Sequence, residues 1–247
     1  MTDAPALVIF DLDGTLVDPA GSITGGIAAA LEIHGLPVPD QSALDSMVGP
    51  PLIESLRRFA SVPEGVMTLV VQSYRERYIS EGMAKSRPYP GIPELLGRLR
   101  SRGYHLAVAT QKPEGLAKRL LRLQGLDAYF HSIHGAPDDE TLPPLPDGKV
   151  SIVAAALEVN HASRDRAVMV GDRRHDAAGA EGNGIACIGV AWGFAEPGEL
   201  EAQNLAAYAS DAREAGDAVE RLIPLGAPSA SAARAAAGIE AGASQCR

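Results

Sequence analysis

A chain of 247 residues, 46% hydrophobic and 21% charged, has room for one large α/β domain or for a core carrying a smaller inserted one. Its formal charge of -9 argues against a nucleic-acid-binding surface, although a bound cation can still invert the local sign for an anionic substrate. No apolar run reaches the length of a membrane span, the start lacks a secretory signal, and Cys187 and Cys246 make no disulfide framework, so the expectation is a cytoplasmic protein without a membrane partner.

Residues 6–10 form a short apolar run that stops at Asp11-Leu12-Asp13-Gly14-Thr15. A continuous run of this kind predicts a strand buried on both faces of a parallel sheet. From 19 to 85 the pattern is helical, over 23–34, 43–47, 52–60 and 66–79, with turn signals at Gly35-Leu36-Pro37 and Gly49-Pro50-Pro51. After Pro88-Tyr89-Pro90-Gly91 helix and strand alternate: helix 92–102, strand 105–110, helix 113–124 and a weaker strand near 129–134. A Pro-rich acidic loop over 136–148 precedes helix 150–159, strand 167–170, helix 176–181 and strand 185–191. Segments 199–203, 206–210 and 213–223 close the fold. The alternation implies βαβ crossovers and a parallel sheet. The expected organisation is a discontinuous core over 1–17 and 88–224, a helical insertion over 18–87, and a flexible Ala-, Gly- and Ser-rich tail over 225–247.

In an open parallel sheet, ligands bind beyond the carboxyl ends of the strands. Those ends supply Asp11 and Asp13, Thr110 and Asp172, with Lys149 at a helix start between the last two. A carboxylate such as Asp11 can attack phosphorus and form an acyl phosphate. A second carboxylate, Asp13, can protonate the leaving oxygen and later activate water. Gly14 permits a sharp turn, and Thr15 can satisfy exposed backbone groups there. The Thr110 hydroxyl can bond a phosphate oxygen, and an anion would explain a lysine at the start of a helix, where the dipole disfavours it. Taken alone, Asp172 reads as a helix N-cap and Asp176 as a first-turn acid. Their spacing also places both carboxylates on one helical face, where with Asp11 they offer the oxygens that Mg²⁺ prefers. His175, without a Cys or His neighbour, reads as a surface residue.

These residues resemble the haloacid dehalogenase-like hydrolases, in the branch of phosphoglycolate phosphatases and 5′-nucleotidases. The resemblance covers about residues 6–223. It rests on Asp11-Leu12-Asp13-Gly14-Thr15-Leu16, Leu106-Ala107-Val108-Ala109-Thr110-Gln111-Lys112-Pro113, Lys149, Gly171-Asp172-Arg173-Arg174-His175-Asp176 and Ile188-Gly189-Val190-Ala191-Trp192-Gly193. It implies a Rossmann-like core with an all-helical cap, Asp11 as nucleophile and metal ligand, and Asp13 as general acid/base whose main-chain carbonyl also binds Mg²⁺. It further implies that Thr110 and Lys149 hold the transferring phosphoryl group and that Asp172 ligates the metal, with Asp176 as ligand or water-mediated support. The implied activity is hydrolysis of a small phosphorylated substrate by a monomer or homodimer. Gly49-Pro50-Pro51-Leu52 resembles a cap substrate loop of the nucleotidase-like branch. Val150, where phosphoglycolate phosphatases most often carry Pro, and the Pro-rich loop leave the substrate open. A phosphomutase and a protein-directed phosphotransfer or regulatory protein are the alternatives.

Overall fold

The computed structural model describes residues 4–139 and 147–225. The tail expected over 225–247 therefore lies, beyond Leu225, outside the described residues, as does most of the Pro-rich loop. Strand β1 (Leu7–Phe10) leads through the Asp-rich turn into the short β2 (Val17–Asp18). Helices α1 (Ser22–Ile33), α2 (Gln41–Ser46), α3 (Leu52–Ala60) and α4 (Glu64–Arg77) follow, then a π-helical turn at Tyr78–Gly82 and the short α5 (Met83–Lys85). Next come β3 (Arg87–Pro88), α6 (Ile92–Arg102), β4 (His105–Pro113), α7 (Glu114–Leu123) and β5 (Ser132–Ala136). The chain continues through α8 (Lys149–Val159), β6 (Ala167–Gly171), α9 (Arg174–Asn183), β7 (Ala186–Val190), β8 (Ala207–Ala209) and α10 (Ala212–Leu222).

Six strands form one parallel sheet in the order β5-β4-β1-β6-β7-β8. Period-two alternation divides each central strand between two apolar layers. Leu7 and Ile9 of β1 join Met169 of β6 and Ile152, Val153 and Ala156 of α8 on one face. Val8 and Phe10 join Val168 and Val170 and the Leu95, Leu96 and Leu99 stripe of α6 on the other. The α/β, Rossmann-like parallel sheet expected from the alternation is thus the fold.

The helices between β2 and β3 carry their own apolar stripes, including Ile27 and Leu31 of α1 and Val70 and Tyr74 of α4. The two short strands pair antiparallel, Val17 with Pro88 and Asp18 with Arg87, so the helical segment leaves and re-enters the sheet domain at one place. Two residues per strand are too few to leave a sequence pattern, and this ribbon was not expected. Two further differences matter for the site. Strand β4 continues to Pro113 through an irregularity after Ala109, past its expected end at 110, because Pro113 pairs with Ala136 of β5. Strand β5 itself begins at Ser132, since a 3₁₀ turn takes Asp127–Tyr129. No helix among the described residues is long and apolar enough to cross a membrane.

Candidate active site

The ladder pairs Phe10 of β1 with Val108 of β4 and with Val170 of β6, so these three positions lie level across the sheet. That register brings the residues following them to one edge. The carboxylates of Asp11, Asp172 and Asp176, all buried, offer oxygens that lie within 4.8 Å of one another. Lys149, the first residue of α8, reaches into the group: its Nζ is 2.6 Å from both Asp11 Oδ1 and Asp176 Oδ1. Its hydrogen-bond geometry favours Asp11, leaving Asp176 Oδ1 buried and held by charge alone.

Asp172 sits in a slot cut for it. Thr15 Oγ1 donates to its Oδ1 at 2.8 Å and the Phe194 amide donates to its Oδ2 at 2.8 Å. A Cβ on Gly14, whose φ is +91°, would lie 2.3 Å from Asp172 Oδ2, and one on Gly193 would lie 2.3 Å from Asp172 Cβ. Glycine is required at both positions for the carboxylate to enter. Thr15 therefore serves a side chain 157 positions away, not the local backbone groups assigned to it above. The N-cap expectation for Asp172 is also corrected: Arg173 is the N-cap of α9, and Asp176 Oδ2 reaches back to accept the Arg173 amide at 3.0 Å. Asp172, one residue further out, is left pointing at the other acids.

The electrostatics follow from burying three carboxylates beside one ammonium. Burial raises Asp11, the nearby Asp176 charge adds to the rise, and Lys149 opposes it. Burial, then the Asp176 and Asp11 charges, push the Asp172 carboxyl up to about 8. Burial alone would lower Lys149, but Asp11 and Asp176 outweigh it and hold the ammonium above its usual range. A single cation leaves the cluster with excess negative charge and Asp176 Oδ1 without a hydrogen bond. An all-oxygen, anionic, buried set of this kind fits a hard metal ion.

Asp13 stands apart from the three-acid group. Its Oδ2 accepts a 2.6 Å hydrogen bond from Lys112 Nζ, both side chains being buried, while its Oδ1 is buried without a hydrogen-bond partner among the described residues. Thr110 is also buried, and its hydroxyl accepts the Lys112 amide at 3.2 Å. A cavity of about 790 Å³ opens beside Asp13 and Lys112. Asp13, Lys112, Lys149 and His175 line its floor, and Leu52 of α3 and Met67 of α4 line its roof. His175 is consequently not the surface residue expected: its Nε2 is buried, and burial together with Arg174 and Arg173 lowers its pKa to about 4. Arg173 ties roof to floor, donating from Nη1 to the Val48 carbonyl at 2.6 Å and from Nε to Glu199 at 2.9 Å.

Residues 8–190 match the family model described as haloacid dehalogenase-like hydrolase. The chain belongs to this family. A 5′-nucleotidase of Pseudomonas aeruginosa is 37% identical over 204 residues, 83% of this chain and 90% of that protein. The protein named tyrosine-protein kinase PtkA of Mycobacterium tuberculosis is 41% identical over 192 residues, 78% of this chain but only 64% of its own length. The crystal structure of a predicted phosphatase from Clostridium acetobutylicum superposes with a TM-score of 0.80 at 34% identity, covering 89% of this chain and all of that one (100%). Within the haloacid dehalogenase-like family the chain thus groups with phosphatases.

Sequence reading passed over Lys112, Thr15 and the Arg173–Glu199 pair as working parts of the site. For Lys112 one signal was present: a basic residue just past a strand end and directly before Pro113. Nothing in the sequence named Asp13 as its partner, 99 positions away.

Proposed function

We propose that this protein is a Mg²⁺-dependent phosphomonoesterase that hydrolyses a small phosphorylated metabolite through an aspartyl-phosphate on Asp11. The convergence of Asp11, Asp172 and Asp176 with Lys149 carries the reading. In it, a free carboxylate oxygen of Asp11 attacks phosphorus, the ester oxygen departs, and Asp13 gives that oxygen a proton. Asp13 then takes a proton from the water that attacks the acyl phosphate, releasing phosphate and restoring the Asp11 carboxylate. Lys149 and the Thr110 hydroxyl hold the phosphoryl oxygens and offset their charge. Asp11, Asp172, Asp176 and the Asp13 carbonyl would hold Mg²⁺, which when bound supplies Lewis-acid polarisation and charge neutralisation.

Residues 18–87 act in this reading as a cap on a core of 1–17 and 88–224, with Val48 to Leu52 shaping specificity. The cavity, about 790 Å³ and lined in the cap by Met47, Leu52, Met67 and Val71, supports an ester with a sizeable apolar or ring-bearing group. A nucleoside 5′-monophosphate suits that space better than phosphoglycolate does. The test is a panel of phosphorylated metabolites with Mg²⁺ and with chelator. Turnover that survives exhaustive chelation contradicts the metal role. The 41% identity to PtkA favours a second reading, a protein-directed role. Phosphopeptides turned over more than about tenfold better than every metabolite would establish that one instead.

A further inference from the structure

Lys112 is a buried cation that the phosphoryl chemistry above leaves unused. Its ammonium sits 2.6 Å from Asp13 Oδ2, with the two side chains 5% and 8% exposed. On another side it lies 4.6 Å from the centroid of the Tyr78 ring, a cation–π distance. Tyr78 belongs to the π-helical turn Tyr78–Gly82 of the inserted segment, not to the sheet domain. That turn is shaped for the ring: a Cβ on Gly82 would come 2.8 Å from Tyr78 Cδ2, and Tyr74 stacks on the ring's other flank at 5.7 Å and 17°. A π turn widens a helix locally and re-aims the side chains it carries. Here it delivers an aromatic face to a lysine of the opposite domain.

The consequence falls on Asp13. One of its oxygens is fixed by Lys112, and the other is buried with no hydrogen-bond partner in a residue that lines the cavity. A carboxyl group that must hand a proton to a leaving oxygen needs one oxygen anchored and the other not already taken by a protein hydrogen bond. Desolvation by the Tyr78 ring keeps the Lys112–Asp13 pair short, because an ion pair screened from water is stronger than an exposed one. We propose that Lys112 is the positioning residue for Asp13, and that Tyr78 completes it only when the helical segment lies closed on the core. Proton transfer to the leaving group is thereby coupled to closure. When the segment lifts, the ring leaves the ammonium, water enters, and the aim of Asp13 is lost.

This inference rests on the phosphomonoesterase reading, and a leaving-group comparison separates the two. Phenyl phosphate and p-nitrophenyl phosphate differ little in shape, but departure of phenol depends far more on a proton donor. For Lys112→Met we expect kcat/KM to fall by about a hundredfold on phenyl phosphate and by under about tenfold on p-nitrophenyl phosphate, with the loss in kcat more than in KM. Asp13→Asn should show the same selectivity, and adding Lys112→Met to it should cost little more. Lys112→Arg should recover most of the phenyl phosphate rate. If Lys112→Met does not fold, Tyr78→Leu, which leaves both charged residues in place, should reproduce the selective loss in weaker form. Equal losses on both esters, or additive losses in the double variant, overturn the proposal. A wild-type protein inactive on both esters overturns the phosphomonoesterase reading instead.

Discussion

In the proposed reading Asp11 attacks phosphorus through the carboxylate oxygen that Lys149 does not hold, the other being engaged by Lys149 at 2.6 Å. Asp11→Asn preserves that shape and removes the nucleophilic charge, so turnover is expected to fall by at least about a thousandfold in a protein that still folds. Substantial turnover by a clean Asn variant would take the nucleophile's role from Asp11. Asp172 predicts a pH effect on stability. Its carboxyl, ordinarily near 3.8, is pushed up to about 8 by burial and by Asp176 and Asp11. A carboxyl raised on folding binds its proton better in the native chain, so its stabilising contribution is full below 3.8 and is lost as pH rises through about 8. The melting temperature of metal-free protein should therefore drop as pH climbs across that window, and Asp172→Asn should flatten the drop. An Asn variant with the wild-type slope would place the titration elsewhere.

At the scale of elements, the extension of β4 past Ala109 puts Lys112 beside Asp13, and β5 backs that extension closely. A Cβ on Gly135 would meet Glu114 Cα and the Lys112 carbonyl, both at 2.6 Å, which are backbone atoms that cannot swing aside. Gly135→Ala should cost about 1–3 kcal/mol in denaturant unfolding and disturb Lys112 with it. An alanine variant of unchanged stability would mean that the strand end is not as tightly backed as the structure has it. The same elements show what the sequence could reveal. Strands β1 and β6 were legible because both faces are buried, which leaves unbroken apolar runs ending at Asp11 and Gly171. The far end of β4 was not, since Gln111-Lys112-Pro113 carries no strand pattern and pairs only because Ala136 lies opposite. The converging acids were readable from their places at strand ends. The contacts that aim them, Thr15 to Asp172 and Lys112 to Asp13, depend on three-dimensional register that spacing along the chain does not encode.

At the scale of the molecule, one apolar cluster runs from Val8 and Phe10 of the sheet through Leu16 and Val17 into Ile27, Leu31 and Tyr74 of the helical segment. A core shared in this way should melt as one unit, so calorimetry of the metal-free protein is expected to show a single transition. Two well-separated transitions would show that the helical segment unfolds by itself. The pairing of β2 with β3 has a different consequence. With Val17 against Pro88 and Asp18 against Arg87, the inserted stretch begins and ends at neighbouring points, so its length hardly affects the closure of the chain around it. That stretch could be lengthened or shortened while the acids at the strand ends keep their places. In the proposed reading, the parts that select a substrate and the parts that react with it are thereby separable within one chain.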